Sequence, residues 1–121
     1  MKTIEKILIP GQYQQDFEIK IKDSRATLTN FYILCKKSNL SKEEVYQFAV
    51  DFKKNFKGNC NIHVYDNEDI TYLVDLYHSI SEEDYIKKAE HFIATLFFTD
   101  DFLWYPFKDE LYYSYLKSLE N

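Results

Sequence analysis

Cys60, His63, Asp66, Glu68, Asp69 and His78 crowd into one stretch of the sequence and supply the ligand types that zinc or another divalent ion takes. Their spacing matches no metal signature. If the segment from Cys60 to Tyr65 is a strand, Cys60 and His63 stand an odd number of residues apart and point to opposite sheet faces. A return strand over Ile70 to Tyr77 would carry His78 back to the start of that strand, away from Asp66. The reading therefore assigns no metal and no cofactor, and takes these acids as solvated turn residues and the histidines as surface or edge groups.

A second chemistry would use His63, Tyr65 and Asp66 together at the carboxyl end of a strand, where open sheets often hold their sites, in a small hydrolase or ligand-binding enzyme. His63 and Tyr65 share the face opposite Ile62 and Val64, and Tyr32 is expected to join them. A covering element that leaves their polar tips hydrogen-bonded is the plainer account of that face. Cys35 falls in a predicted strand with no base beside it, so nucleophilic catalysis has no support. Cys35 and Cys60 are expected at opposite ends of the sheet, too far apart for a disulfide.

The third group is aromatic. FLWYPFKDELYYSYLKSL, from Phe102 onward, concentrates the sole Trp with Phe and Tyr residues. Trp104, Tyr105, Tyr112 and Tyr115 are candidate interface anchors, and Asp100, Asp101, Asp109 and Glu110 are candidate rim charges, a pattern suited to a protein partner or a second copy of the chain. The functional expectation is a non-enzymatic interaction or accessory and regulatory module, with the His63, Tyr65, Asp66 enzyme as the alternative.

The elements that would position these residues can be read from pattern. Phe17, Ile19 and Ile21 alternate with Glu18, Lys20 and Lys22 as in a half-buried strand, Asp23 and Ser24 suit a turn, and Ala26 to Lys36 reads as the partner strand. Ile4 to Ile9 is a possible earlier strand before Pro10 and Gly11. From Ser41 to Gly58 every helix signal coincides: a capping box of Ser41 and Glu44, an apolar stripe of Val45, Phe48, Ala49, Phe52 and Phe56, and lysines at the far end. A helix between two strands of one sheet makes those strands parallel. After the strand expected over Ile70 to Tyr77, Ser81 caps a second helix whose stripe continues through Tyr85, Ala89, Phe92, Ile93, Leu96 and Phe97. Pro106 opens a third, over Lys108 to Leu119. The fold class is α+β: a two-layer sandwich with a mixed sheet of four or five strands, a β-α-β unit and two further C-terminal helices, in a single domain over residues 1–121.

Composition narrows the function classes. The 121 residues include only 2 Gly, which leaves no glycine-rich loop for a phosphate. Residues 1–65 hold 11 basic and 7 acidic groups, and residues 66–121 hold 4 and 13, so the net charge of −5 comes from the second half. That acidic half opposes nucleic-acid binding. The longest apolar run, Phe31 to Cys35, is far below the roughly 20 residues that span a bilayer, and the expected location is cytoplasmic.

Overall fold

A computed structural model describes residues 8–76 and 80–105. His78, Asp109, Glu110, Tyr112, Tyr115 and the helix expected over 108–119 lie outside the described residues. Of the strand expected over Ile4 to Ile9 only the last two residues are described; Leu8 and Ile9 form no strand but are buried in the core.

The sheet has five strands in sequence order: β1 (Phe17–Arg25), β2 (Leu28–Cys35), β3 (Asn59–Tyr65), β4 (Phe92–Leu96) and β5 (Phe102–Trp104). The pair β2 and β3 is parallel and every other pair is antiparallel, so the sheet is mixed and the fold is α+β. Helix α1 (Lys42–Asn55) makes the crossover. It starts as expected: the Glu44 amide donates to Ser41 Oγ at 3.1 Å and the Ser41 amide donates to Glu44 Oε1 at 2.9 Å. The helix stops at Asn55, three residues before Gly58, whose φ of 125° serves the turn into β3.

The hairpin of β1 and β2 turns at Ala26 and Thr27 and not at Asp23 and Ser24. Ser24 instead pairs with Thr29, their hydroxyls 3.0 Å apart, and Ala26 takes the left-handed backbone at φ 50°. Phe31, Ile33, Ile62, Val64, Ala94 and Leu96 project from one face and pack under Val45, Phe48, Ala49 and Phe52 of α1. Phe31 meets Phe52 edge to face at 4.9 Å, and Phe17 stacks on Phe48.

Two expectations need correction. Residues 70–76, the described part of the strand expected over Ile70 to Tyr77, form no strand: a 3-10 helix runs over Glu68–Leu73, started by Asn67, whose side chain accepts from the Asp69 amide at 2.7 Å. Its apolar residues Ile70, Leu73 and Val74 follow helical spacing and are all buried. The second helix, α2 (Glu82–His91), does start at Ser81 but ends before Phe92, and Phe92 to Leu96 form β4. Every residue of β4 is buried, so the strand shows no alternation and its apolar run looks like more helix. The 3-10 helix and α2 cover the second sheet face, where Tyr32, Leu34, Tyr65, Phe92 and Tyr105 pack with Ile70, Leu73, Tyr85 and Ala89. No helix among the described residues is long and apolar enough to cross a membrane.

Candidate functional site

The residues expected to do chemistry are dispersed by the sheet. Cys60 points into the α1 core and His63 into the opposite face, as their odd spacing requires. Cys60 is opposite Thr29 at one end of the parallel pair, and Cys35 is opposite Phe17 at the other end of β2; both are free thiols. Burial pushes each up to about 11, so both stay protonated at neutral pH. Among the described residues no group of three His, Cys, Asp or Glu converges on one point.

His63 is 5% exposed and stacks on Tyr32, with ring centroids 4.7 Å apart. Its hydrogen bonds form a chain that can be solved from one end. The Phe98 amide donates to Asn61 Oδ1 at 2.9 Å, which leaves Asn61 Nδ2 to donate to Asn30 Oδ1 at 3.0 Å. Asn30 Oδ1 is therefore an acceptor, so the His63 nitrogen 3.0 Å from it, Nε2, carries the proton. Nδ1 then accepts from the Thr95 hydroxyl at 3.1 Å. Burial, with Lys88 nearby, lowers the His63 pKa to about 3. This imidazole is neutral, holds one tautomer, and ties β2, β3 and β4 together.

Tyr65 is fully buried, its hydroxyl 2.5 Å from Thr71 Oγ1. Asp66 lies past the strand end, 3.0 Å from His91 Nδ1, so His63, Tyr65 and Asp66 do not aim at a common point. Lys88 was not anticipated. It is fully buried, donates to the Leu76 carbonyl at 2.5 Å, sits 5.6 Å from the Phe92 ring centroid, and has its pKa lowered by burial to about 7. The signal for it was its position: Lys88 falls on the stripe of Tyr85, Ala89 and Phe92, where a solvated lysine does not belong.

The aromatic group is split as well. Tyr105 is fully buried in the second core, which corrects its assignment as a surface anchor: it packs on the face that α2 covers. Trp104 is half-buried and lines a cavity of about 340 Å³ with Leu40, Ile93, Lys36, Lys37 and Asp66, at the carboxyl ends of β2 and β3. Asp100 and Asp101 are not its rim. They precede β5 whereas Trp104 ends it, and Asp100 is paired with Lys53, which also donates to the carbonyls of Phe97 and Phe98. Asp101 accepts from the Thr99 hydroxyl at 2.8 Å.

Around Trp104 the backbone matters as much as the side chain. The bonds from the Phe97 amide to the Asp101 carbonyl and from the Tyr105 amide to the Ile93 carbonyl put the odd-numbered residues of this segment in contact with β4. By the two-residue period, the N–H and C=O groups of Phe102 and Trp104 face outward along the edge of the sheet. A second cavity, about 300 Å³, opens between α1 and the end of β4, where Tyr46, Val50, Lys53, Leu96 and Asp100 line it. Tyr46, 43% exposed, also meets Phe102 edge to face at 5.0 Å.

No family model, curated protein or solved structure matches the chain.

Proposed function

We propose that this chain is a single-domain, non-enzymatic protein-binding module, acting in the cytoplasm as an accessory or regulatory protein, that takes an extended segment of a partner as an added strand on β5. The observation that carries this reading is the contrast between the two sheet edges. β1 is long, interrupted by a register shift between Ile19 and Ile21, and carries Glu18, Lys20, Lys22, Asp23 and Arg25. Charges and irregularity of this kind protect an edge against further pairing. β5 reads Phe102, Leu103, Trp104, with outward backbone groups, a cavity lined by Trp104 at its end and a second cavity lined by Tyr46, which packs on Phe102. Main-chain bonds to such an edge supply affinity, and the flanking pockets supply selectivity. The alternative, a small hydrolase or ligand-binding enzyme on His63, Tyr65 and Asp66, draws less support, because both His63 nitrogens are engaged and Asp66 turns to His91.

The test separates amide from ring. Phe102→Pro removes an outward N–H without touching a bond to β4, whereas Phe102→Thr keeps that N–H and removes the ring. Partners are captured from cell extract with wild type and both variants, alongside solution mass and circular dichroism. The expected result is a folded Phe102→Pro protein that loses a partner, or a second copy of itself, that Phe102→Thr still retains. Equal retention by all three proteins, or a monomer with no specific partner, rejects the reading.

A further inference from the structure

The notable charge near the β5 edge is positive. Lys36 and Lys37, on the turn between β2 and α1, line the 340 Å³ cavity together with Trp104. Among the described residues, Lys36 has only a long ion-pair contact, to Glu18 at 3.9 Å, and Lys37 has no carboxylate within ion-pair distance. Asp66 shares the cavity, but its carboxylate faces His91 Nδ1. At the second cavity, Lys53 is neutralised by Asp100.

Resting on the reading of β5 as a strand-accepting edge, we infer that the cavity between Trp104 and the Lys36–Lys37 turn is a carboxylate subsite, and that the partner segment is acidic where it passes the end of β5. A carboxylate there gains two cations, an aromatic wall that excludes water, and the apolar surfaces of Leu40 and Ile93 for its methylenes. Geometry also links the source of the carboxylate to direction. β5 runs toward this cavity, so a terminal carboxylate reaches it only when the segment lies parallel to β5, whereas a Glu side chain reaches it from either direction.

Trp104 is the sole Trp of the chain, and its fluorescence reports this cavity alone. The probes are three short alternating Thr-Val peptides: one amidated with a Glu near its start, one with no Glu but a free terminal carboxylate, and one amidated and neutral. Benzoate is the strandless probe. At least one acidic peptide is expected to bind about tenfold more tightly than the neutral one. The Lys36→Gln/Lys37→Gln variant should erase that difference while leaving the neutral peptide's affinity unchanged. The peptide that prevails gives the source: a free terminus means parallel addition. Equal affinities for all three peptides, or a preference that survives the double substitution, overturn the subsite and leave the edge reading standing. Benzoate quenching that depends on the lysines, with no peptide binding, keeps the subsite and removes the edge reading. No response to any probe rejects both.

Discussion

The two faces of the sheet are built on different terms although the same strands supply both. Under α1 the contacts are hydrocarbon and ring on ring, with Phe31, Ile33, Ile62 and Val64 against Val45, Phe48 and Phe52. On the face that the 3-10 helix and α2 cover, equally buried strand positions include Asn61, His63 and Thr95, and α2 itself contributes Lys88. An apolar face tolerates any residues that fill its volume, so its stability is set by packing. A polar buried face needs each donor matched to an acceptor, and here one backbone amide, that of Phe98, sets the orientation of Asn61, Asn30, His63 and Thr95 in turn. The first face therefore stabilises the fold, and the second specifies register: a one-residue slip of β3 would place His63 among the phenylalanines.

The largest effect should come from breaking the apolar face. Phe52 is fully buried and touches both Phe31 and Phe48, so Phe52→Ala should cost about 3–5 kcal/mol in urea unfolding. A loss below about 1 kcal/mol would mean that this face collapses around the gap and that the distinction between the faces is misplaced. On the polar face His63→Leu keeps bulk but leaves the Thr95 hydroxyl and one lone pair of Asn30 without the imidazole, at about 2–3 kcal/mol.

The polar face also predicts how stability follows pH. His63 titrates near 3 when folded, against an ordinary value of 6.5, so between those limits the unfolded chain takes up a proton that the folded chain refuses. Its contribution is thus fully present above pH 6.5 and is lost on acidification toward pH 3, with a slope of at most about 1.4 kcal/mol per pH unit. His63→Gln should remove that share of the slope. Lys88 has the same sign at higher pH: depressed to about 7 from 10.5, it makes the protein more stable as pH rises between those values. Lys88→Met should flatten the profile there, and an unchanged profile would place the ammonium in contact with water.

The contrast between the faces also explains what could be read in the sequence. β1, β2, α1 and β3 were legible as elements because apolar and charged residues alternate from Phe17 and because Ser41 and Glu44 mark a helix start unambiguously, but the expected single face of Phe17, Ile19 and Ile21 was wrong: the register shift after Ile19 turns Ile21 to the Tyr32 side of the sheet. The coverings of the polar face were not. Phe92, Ile93 and Leu96 extend the spacing of Tyr85 and Ala89, and no Gly or Pro separates His91 from Phe92, so a wholly buried strand passed for the end of a helix. Ile70, Leu73 and Val74 fitted two periods at once. Trp104 stood out by type, yet its charged neighbours could not be known until the pairing of β4 and β5 put Asp100 beside Lys53 and left Lys36 and Lys37 near the indole. Asn30 and Thr95 acquire meaning only once β2, β3 and β4 are in register with His63 between them.

The smallest predicted effect compares the helices that cover the two faces. Both begin with a serine whose hydroxyl accepts from the third residue of the helix, Ser41 from Glu44 and Ser81 from Asp84, each at 3.1 Å. Only Glu44 returns a bond, to the Ser41 amide. The bonds from the Ser41 backbone and side chain hold the Glu44 carboxyl below its ordinary pKa, so the reciprocal bond is present at neutral pH and is lost as pH falls through that lowered value. Ser41→Ala and Ser81→Ala should each cost about 1 kcal/mol at neutral pH. The return bond is isolated by Glu44→Ala instead, because the amide of residue 41 that donates to Glu44 survives the Ser41 substitution. Glu44→Ala should destabilise the protein by less than either serine change at neutral pH, and its cost should shrink in mild acid as the wild-type Glu44 protonates. An unchanged urea midpoint for Glu44→Ala at neutral pH would mean that the Glu44 bond adds nothing to α1.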